Sequence, residues 1–565
     1  MNLSREALLA EAVSVEKAKP PYGDEWWRGA LIYEVYWRSF KDSDGDGIGD
    51  IAGLYSKLQY IADLGVDGIW IAPFYPSPQE DFGYDVTDAR SVDPRAGTTS
   101  GFLDLLSEAH RLNLKVLLDF IPIHTSHLHP WFLDSRVSRD HERADWYIWA
   151  DSAADGGPPN NWLSSFGGGA WTWEPRRSQY YYHPFLPCQP ALKLSNEQVL
   201  NAVLDDMRFW LGHGVDGFRL DAVQCLACDP DLRSNPPAGQ ENATVLLGGG
   251  PNNPFRKQLH VFDRDVPAAF PLLERMRETV EEFGPDRILL GELADVDSAH
   301  EAQKYSVKGK RLHATYDFDL INCRSEDIPE VLRVREHHLR TGWVYNVFTN
   351  HDSKRAVSGR TPEASSRDEQ IRAAKMLLFL QFTLKGGGIL FQGDELGLTQ
   401  PTLNREDLRD PWGINLWPDF EGRDGVRTPI PWAHDEEQLG FSEATPWLNP
   451  ALEHAEFAVD LQEVDQDSVL NFVRAFLKWR RRQHILRNGG QQMRAEASPL
   501  IAFDRSMHSR TLRCVVNFSK QGRLYPLSDE FEMTQAPGCI AERNSQGVNL
   551  PGYGFAICKR TAERR

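Results

Sequence analysis

The segment VLNAVLDDMRFWLGHGVDGFRLD, residues 199–221, decides the fold class of this chain. Its first part, Val199–Leu211, repeats apolar residues at helical spacing, and its second part, Val215–Leu220, is a short apolar run that ends at Asp221. A helix that leads through glycines into a short apolar strand is typical of proteins that alternate helices with buried parallel strands. The segment therefore favours an α/β fold.

The same rhythm recurs from about residue 30 onward. Eight apolar runs predict strands: Leu31–Tyr36, Gly68–Ile71, Val116–Phe120, Val215–Leu220, Ile288–Leu290, Ala314–Phe318, Tyr345–Phe348 and Ile389–Phe391. Helical patterns lie between or after them, as at Leu54–Leu64, Phe102–Leu112, Phe270–Phe283, Gln370–Leu384 and Val469–Arg482. Eight buried strands joined by helices predict a closed (β/α)8 TIM barrel.

The predicted barrel is interrupted and extended by other segments. We expect an N-terminal extension (1–27), a first barrel part (28–121), an inserted domain B after the third strand (122–195), a second barrel part (196–485, with an insertion at 393–432) and a C-terminal all-β sandwich domain (486–565). The 222–269 segment, which contains Gly248-Gly249-Gly250, predicts a long loop that restricts access to the barrel mouth.

Composition excludes some partners. The chain has 62 Lys and Arg against 81 Asp and Glu, a formal net charge of −19, which argues against nucleic acid or an anionic membrane as a partner. The N-terminal residues form no secretory signal, and the apolar stretch Met376–Leu384 is too short to span a bilayer. We therefore expect a cytoplasmic protein without a membrane partner. Seven cysteines do not predict a disulfide scaffold.

Polar residues follow the predicted strands at the end where a barrel places its active site. They form five groups: Asp81-Phe82-Gly83-Tyr84-Asp85, Asp119 to His124, Arg219 to Asp221, Glu292, and Asn350-His351-Asp352. Any single acid of this set would equally suit a cap or a salt bridge. Together they indicate chemistry that needs several carboxylates, and cleavage of a glycosidic bond with retention needs two.

The residue types suggest separate roles for the acids. Arg219 and Asp221 lie two apart on a strand and leave the same face, so the guanidinium is expected to keep Asp221 ionised as a nucleophile. Glu292 follows an apolar strand, where desolvation favours the protonated form that a general acid needs. Asp352, with His351, is expected to bind sugar hydroxyls as the ring flattens.

The loop Asp42-x-Asp44-x-Asp46-Gly47-Ile48-x-Asp50 indicates a cation site. Oxygen donors at alternate positions match the first nine positions of an EF-hand loop, but the twelfth position is Gly53 rather than Glu, so the loop is not an EF-hand. We predict Ca²⁺ held by Asp42, Asp44, Asp46, the Ile48 carbonyl and Asp50. A solvated acidic turn is the alternative, and Mg²⁺ is the alternative ion.

Four spaced motifs resemble the signature regions of the α-amylase family of glycoside hydrolases: Asp119 to His124, GFRLD at 217–221, LLGE at 289–292 and FTNHD at 348–352. The resemblance covers about residues 28–565. Further segments resemble the α-glucosidase and oligo-1,6-glucosidase branch: DSDGDGIGD at 42–50, PFYPSPQEDFGYDV at 73–86, NNWLSSFGGGAW at 160–171, LPCQP at 186–190 and GRDGVRTPIPW at 422–432.

The resemblance implies roles for individual residues. It makes Asp221 the nucleophile, Glu292 the general acid/base and Asp352 the stabiliser of the transition state. It places His124, Phe166, Arg219 and His351 around the non-reducing glucose, with Tyr84 stacked on it. Asp81, paired with an arginine, closes the pocket. Arg423 is the predicted partner of Asp81 and Arg427 the alternative. The resemblance also supports a structural ion in the 42–50 loop and implies no organic cofactor.

Some positions depart from the family pattern. Ile123 replaces an Asn that binds calcium in many α-amylases, which puts that second calcium in doubt, and Ala191 and Lys193 replace an Asp and an Asn. Ala222 follows the nucleophile. The resemblance implies that branch members with Ala at this position act on α-1,4 rather than α-1,6 linkages.

These features predict a retaining exo-acting α-glucosidase for disaccharides and short oligosaccharides, of α-1,4 or mixed linkage, with sucrose as a further candidate substrate. The expected partner is a small carbohydrate, and the chain is expected to be a monomer or homodimer. The alternatives are a sucrose isomerase or transglucosylase, a non-catalytic transporter-associated homologue and a carbohydrate-binding module.

Overall fold

A computed structural model describes residues 25–239, 252–294, 298–307, 309–496 and 498–561. Most of the predicted N-terminal extension, the Gly248-Gly249-Gly250 stretch of the long loop and the last four residues of the predicted C-terminal domain lie outside these ranges.

The described residues form nineteen strands. They are β1 (Leu31–Val35), β2 (Gly68–Ile71), β3 (Lys115–Phe120), β4 (Trp149–Ala150), β5 (Trp171–Glu174), β6 (Gln179–Tyr182), β7 (Gly217–Leu220), β8 (Ile288–Leu293), β9 (Ala314–Asp317), β10 (Val344–Asn346), β11 (Gly387–Phe391), β12 (Gly490–Met493), β13 (Leu500–Met507), β14 (Arg510–Asn517), β15 (Arg523–Pro526), β16 (Phe531–Met533), β17 (Glu542–Arg543), β18 (Gly547–Leu550) and β19 (Phe555–Arg560).

Fifteen α-helices are present in the same ranges. They are α1 (Ile51–Ser56), α2 (Leu58–Leu64), α3 (Thr99–Arg111), α4 (Pro130–Ser135), α5 (Glu197–Gly212), α6 (Ala269–Glu281), α7 (Ser298–Tyr305), α8 (Asp319–Asn322), α9 (Ile328–His338), α10 (Ala356–Arg360), α11 (Arg367–Thr383), α12 (Pro411–Leu416), α13 (Val459–Val464), α14 (Val469–Arg480) and α15 (His484–Asn488).

Eight parallel strands close into the predicted barrel, in the order β1, β2, β3, β7, β8, β9, β10 and β11, with β11 paired to β1. The (β/α)8 prediction is confirmed. Strand residues are buried on both faces, as in β1 and β7, because helices cover the outside and side chains fill the inside. All eight strands point the same way, so their carboxyl ends meet at one mouth.

The helices pack around the barrel through one apolar face. Helix α3 begins where Thr98 accepts a hydrogen bond from the Gly101 amide, and it buries Phe102, Leu105 and Leu106. Helix α11 contains most of the predicted apolar stretch and is covered by α14. Among the described residues, no helix combines the length and apolar character that a bilayer crossing requires.

Several predicted boundaries differ from the structure, most by one to three residues. The single helix predicted at Leu54–Leu64 is two helices, because Lys57 has non-helical backbone angles (φ −111°, ψ 6°) between α1 and α2. The seventh barrel strand ends at Asn346, so Val347 and Phe348 belong to the loop that carries the FTNHD motif. The fourth begins at Gly217 rather than Val215.

Additional sheets flank the barrel. Strands β4, β6 and β5 form a small antiparallel sheet between β3 and β7, inside the predicted inserted domain. After α15, a five-stranded and a three-stranded antiparallel sheet follow, and Ala502 and Val515 of one share a core with Tyr525 and Val548 of the other. This confirms the all-β C-terminal part. The residue boundaries of the five domains stay predictions.

Candidate active site

A cavity of about 700 Å³, including its open mouth, lies at the carboxyl ends of the barrel strands. Eight of the residues singled out from sequence line it: Asp81, Tyr84, His124, Phe166, Asp221, Glu292, Asp352 and Arg423. Arg219 and His351 lie beneath them with no exposed surface. The structure thus brings together ten residues that are spread over more than 300 positions of the chain.

Arg219 forms the floor of the cavity. Its Nη1 donates to Asp119 Oδ1 at 2.8 Å and to Asp221 Oδ1 at 2.7 Å, and its Nη2 lies 2.6 Å from Glu292 Oε2. Tyr316 Oη accepts from Nε and Nη2 of the same side chain. Asp221 and Glu292 thus contact two nitrogens of one guanidinium and lie next to each other in the cavity.

Burial shifts the protonation of both carboxyl groups. Burial raises the pKa of Glu292 to about 7, with Arg219 opposing and Asp221 adding to the effect. Burial also raises the pKa of Asp221 to about 7. The predicted Arg219–Asp221 contact is present, and the guanidinium lowers the pKa of Asp221, while burial and the neighbouring Asp119 and Asp352 raise it. Both groups titrate near neutral pH.

Asp352 has a different environment. Its Oδ1 lies 2.6 Å from Arg427 Nη2, 3.3 Å from Arg423 Nη1 and 3.4 Å from His351 Nε2. Although burial opposes it, the guanidiniums of Arg423 and Arg427 hold the pKa of Asp352 well below its usual range. The cavity therefore contains one permanently ionised acid beside two that exchange protons.

An ion pair closes one end of the cavity. Arg423 Nη2 lies 2.7 Å from Asp81 Oδ1, and Gln189 Nε2 donates to Asp81 Oδ2 at 2.9 Å. Asp410 holds the arginine from behind, with Oδ1 2.7 Å from Nη2 and Oδ2 accepting from the Arg423 amide at 2.7 Å. The partner of Asp81 is thus Arg423, whereas Arg427 pairs with Asp352.

Sequence reasoning missed Gln189 and Asp410. Gln189 lies in the quoted LPCQP motif, so its position was visible although its contact was not. Asp410 precedes Pro411 and caps α12 by accepting from the Trp412 amide. That Asp-Pro pair signals a helix start, but nothing local indicates that its carboxylate also holds an arginine of the cavity wall.

Two rings form one side of the cavity. The Tyr84 and His351 rings are nearly parallel, with centroids 5.6 Å apart and planes within 10°, and Tyr84 Oη lies 2.7 Å from His351 Nε2, so the two rings lie side by side. The Nε2 atom of His124 contacts the Tyr84 carbonyl at 2.9 Å, and its Nδ1 has no partner among the described residues. Burial lowers the pKa of His124 to about 4. The neutral ring therefore offers Nδ1 as an acceptor.

Aromatic side chains line the part of the cavity near Arg423. Phe166 stacks on Trp412 with centroids 4.7 Å apart and planes within 7°, and the Arg423 guanidinium lies 5.1 Å from the Phe166 ring. Flat apolar walls of this kind suit the faces of sugar rings. Trp412 belongs to the predicted insertion at 393–432, in which Arg423 and Arg427 were singled out from sequence but Trp412 was not.

The segment after Asp221 contributes to the cavity wall. The cavity wall includes Ala222, Gln224 and Arg264. Arg264 Nη2 donates to Gln224 Oε1 at 3.3 Å. Residues 240–251 of this segment lie outside the described ranges. That the long loop restricts substrate size stays a prediction.

The acidic loop brings three of its four predicted side-chain ligands together. Carboxylate oxygens of Asp42, Asp44 and Asp50 lie within 4.8 Å of one another. Asp46 is not in that group; its Oδ1 accepts from the Ile48 amide at 2.7 Å. In the described part of the chain, no Lys, Arg or His pairs with the three acids. A cluster of hard oxygen donors without a protein cation fits Ca²⁺.

The positions that depart from the family pattern are also visible. Ile123 is buried with the core of the barrel and offers no side-chain oxygen. Ala191 forms a bridge with His124, and Lys193 Nζ lies 2.5 Å from Asp145 on the surface of the predicted inserted domain. The Lys193 side chain thus points to an acidic partner rather than to the cavity.

Two carboxyl groups on one guanidinium, at the mouth of an eight-stranded parallel barrel, define a class of protein: the barrel-type glycoside hydrolases. A family model described as "Alpha amylase, catalytic domain" matches residues 34–489. The chain belongs to the α-amylase family of glycoside hydrolases.

Curated relatives and solved structures resemble the chain over nearly its full length. A probable alpha-glucosidase of Rhizobium meliloti (strain 1021) is 42% identical over 535 residues, 94% of this chain and 96% of the relative. An oligo-1,6-glucosidase of Parageobacillus thermoglucosidasius is 32% identical and covers 89% of this chain and 92% of its own.

The alpha-glucosyl transfer enzyme XgtA, a solved structure, is 42% identical in sequence, with a TM-score of 0.91. The match covers 95% of this chain and 99% of XgtA. The trehalulose synthase MutB from Pseudomonas mesoacidophila MX-45 is 29% identical in sequence, with a TM-score of 0.84. The match covers 95% of this chain and 99% of MutB.

Proposed function

We propose that this protein is a retaining, exo-acting α-glucosidase that hydrolyses terminal α-glucosyl residues of disaccharides and short oligosaccharides. The observation that carries the proposal is the single guanidinium of Arg219, which holds Asp221 and Glu292 side by side in a cavity closed at one end. The relatives named alpha-glucosidase and oligo-1,6-glucosidase support the substrate class.

The arrangement suits a double displacement. Asp221 attacks the anomeric carbon while Glu292 donates its proton to the leaving oxygen, which gives a covalent glucosyl-enzyme. Glu292 then takes a proton from water, and the hydroxide displaces Asp221. A Glu292 pKa near 7 matches both the acid and the base role at neutral pH. The fixed negative charge of Asp352 lies beside the site where positive charge develops on the sugar ring.

The closed end supports exo action. The Asp81–Arg423 pair is braced by Gln189 and Asp410, so a longer chain has no exit beyond one glucosyl unit. The hydroxyls of that unit would lie against Asp81, His124 and Arg423, which line the same wall. We infer that this end binds the non-reducing glucose.

The linkage follows from the residue after the nucleophile. Ala222 lines the cavity, and its amide donates to Glu292 Oε2 at 3.2 Å. A small side chain next to the acid leaves room for α-1,4-linked leaving groups, and mixed linkage or sucrose is also accommodated. We therefore place maltose-like disaccharides first.

Transfer to an acceptor hydroxyl is a second candidate function. The neighbour XgtA, named an alpha-glucosyl transfer enzyme, is 42% identical with a TM-score of 0.91. The stacked Phe166–Trp412 pair at the cavity wall offers an apolar surface on which a second sugar or an aromatic alcohol competes with water. Sucrose isomerisation, suggested by the trehalulose synthase neighbour, is a special case of such transfer.

Initial rates on maltose, isomaltose, sucrose, trehalose and a maltodextrin test the proposal. We expect glucose release from at least one disaccharide, much slower release from maltodextrin, and α-glucose as the first anomer seen by proton NMR. β-Glucose as the first product, or internal cleavage of maltodextrin, contradicts the proposal. Isomaltulose or trehalulose from sucrose favours isomerisation instead. Maltose binding without any turnover favours a non-catalytic homologue or a carbohydrate-binding module.

We also propose that the 42–50 loop holds a structural Ca²⁺, with Asp42, Asp44 and Asp50 as carboxylate ligands. The ion would stabilise the loop that precedes α1 and takes no part in the reaction. A cytoplasmic location and a monomeric or homodimeric state stay predictions.

A further inference from the structure

Glu34 lies below the cavity, where none of the proposed catalytic steps uses it. It belongs to β1 and has no exposed surface. Its Oε1 contacts Nδ1 of His351 at 2.5 Å, which joins residues 317 positions apart. Its Oε2 has no hydrogen-bond partner among the described residues. A carboxylate oxygen buried without a donor is costly if the group is ionised, and this cost raises the question of where its proton lies.

The hydrogen bonds on the other side of His351 limit the answer. Tyr84 Oη donates its single proton to Asp119 Oδ2 at 2.9 Å, where Trp70 Nε1 also donates. The Tyr84 oxygen also lies 2.7 Å from His351 Nε2, and there it must accept. His351 therefore carries a proton on Nε2.

Two distributions of protons remain. If Glu34 is ionised, His351 also has a proton on Nδ1 and is an imidazolium. If Glu34 is protonated, its hydroxyl donates to Nδ1 and the ring is neutral. An imidazolium would add positive charge close to the site where the sugar ring becomes positive. It would also leave Glu34 Oε2 charged, buried and without a donor.

We propose that Glu34 is a positioning residue for the proposed hydrolysis: a buried carboxylic acid that donates to His351 Nδ1 and so fixes a neutral ring with its Nε2 proton directed to Tyr84. The inference rests on the proposed function, because it assigns how His351 is held in that reaction. It adds a residue of β1 to the site.

The electrostatic surroundings agree with this distribution. Burial raises the pKa of Glu34 well above its ordinary value, while Arg219 opposes and Asp352 and Asp119 add to the rise. Burial lowers the pKa of His351 to about 3. Arg355 and Tyr316 also interact electrostatically with Glu34, and the His351 amide, 3.4 Å from Oε1, opposes the rise in its pKa.

Two substitutions separate the charge from the hydrogen bond. Glu34→Gln supplies an amide that donates to His351 Nδ1. It leaves the charge of the side chain unchanged only if Glu34 is protonated in the wild type. Glu34→Leu also removes no charge from a protonated Glu34, but it removes the donor. We expect Glu34→Gln to keep kcat within about threefold, with an unchanged pH profile. We expect Glu34→Leu to lower kcat roughly tenfold to hundredfold, the range for losing a bond that orients a histidine.

Glu395→Gln is the matched control, since Glu395 is equally buried but bonds Tyr33 and Tyr60 and does not line the cavity. It is expected to lower the unfolding temperature without lowering kcat of the folded enzyme. Circular dichroism and thermal unfolding identify variants that have not folded.

The outcomes are distinct. Equal losses in folded Glu34→Gln and Glu34→Leu mean that the ionised form is required, which overturns the proposal. Wild-type kcat in both means that Glu34 positions nothing, which also overturns it. If Glu34→Leu does not fold, Glu34→Gln decides alone through kcat and its pH profile. A wild-type protein inactive on every α-glucoside refutes the proposed function instead.

Discussion

The active-site floor and the acidic loop both gather carboxylates, but they compensate the negative charge differently. At the floor, Arg219, which is fully buried, contacts Asp119, Asp221 and Glu292. In the loop, the Asp42 carboxylate accepts from three backbone amides and the Ser442 hydroxyl, and no side-chain cation is paired with the group in the described residues.

This difference in charge compensation distinguishes a catalytic group of carboxylates from a structural one. Burial around a shared guanidinium places carboxyl pKa values near 7, so protons move at working pH and removing one partner leaves a buried charge uncompensated. In the loop, Asp44 and Asp46 are exposed and the compensation is by neutral donors. A loop of that kind is stabilised by binding an external cation. Loss of the cation should lower the stability of the protein rather than its turnover.

The largest expected effect is that of Asp221→Asn, which removes the nucleophile's charge from the floor. We expect kcat to fall by at least about 10⁴-fold, because no covalent intermediate forms. Steady-state rates on maltose, together with circular dichroism to establish folding, measure this. A folded variant with kcat within tenfold of the wild-type value would show that Asp221 is not the nucleophile.

Glu292→Gln tests the acid/base at the same floor. Rates on natural disaccharides should fall about 10²- to 10⁴-fold, while aryl α-glucosides with acidic leaving groups should lose much less in the first step, since they leave without a proton. Added azide should accelerate the second step by replacing the water that Glu292 activates. Equal losses on both substrate types would assign Glu292 a role other than proton donor.

The pH dependence sharpens the comparison further. Glu292 must be protonated in the free enzyme, and its pKa is raised to about 7, so kcat/KM should decline as pH rises through about 7. The decline should be weaker in Glu292→Gln on an aryl α-glucoside, where no acid is needed. An unchanged alkaline limb in that variant would assign the limb to a different group.

Asp410→Asn tests the bracing of the closed end. Asp410 accepts three hydrogen bonds from Arg423, and weakening them should let the arginine move away from Asp81. We expect kcat/KM on maltose to fall roughly tenfold to hundredfold, mainly through KM, because the lost binding is common to ground and transition states. Asp419→Asn, an exposed acid nearby in sequence, is the control that should retain wild-type kcat/KM.

The smallest effect on activity is expected in the acidic loop. Chelation or Asp44→Asn should lower the thermal midpoint by a few degrees, about the scale of 1–3 kcal/mol of ligand-linked stability. Turnover at 25 °C should stay within twofold. Readdition of Ca²⁺ should restore the midpoint of the wild type but not of the variant. A loss of kcat that follows the loss of ion would contradict the separation between loop and floor.

Local patterns in the sequence determined the barrel, its C-terminal sheets and the convergence of the acids. Short apolar runs alternating with amphipathic segments specify parallel strands, and the direction of those strands places Asp221, Glu292 and Asp352 at one mouth. These inferences need only spacing and residue type. The same spacing predicted all four acids of the 42–50 loop as ligands; three of them lie together in the structure, and the ligand role of all four stays a prediction.

Other features were decided only by the tertiary structure. The pairing of Asp81 with Arg423 rather than Arg427 and the contact of Glu34 with His351 join residues 342 and 317 positions apart. The pKa of Asp221 depends on how completely the cavity excludes water. Neighbours along the chain fix periodicity, but distance, burial and charge compensation between remote segments arise only when the barrel closes, so no local pattern contains them.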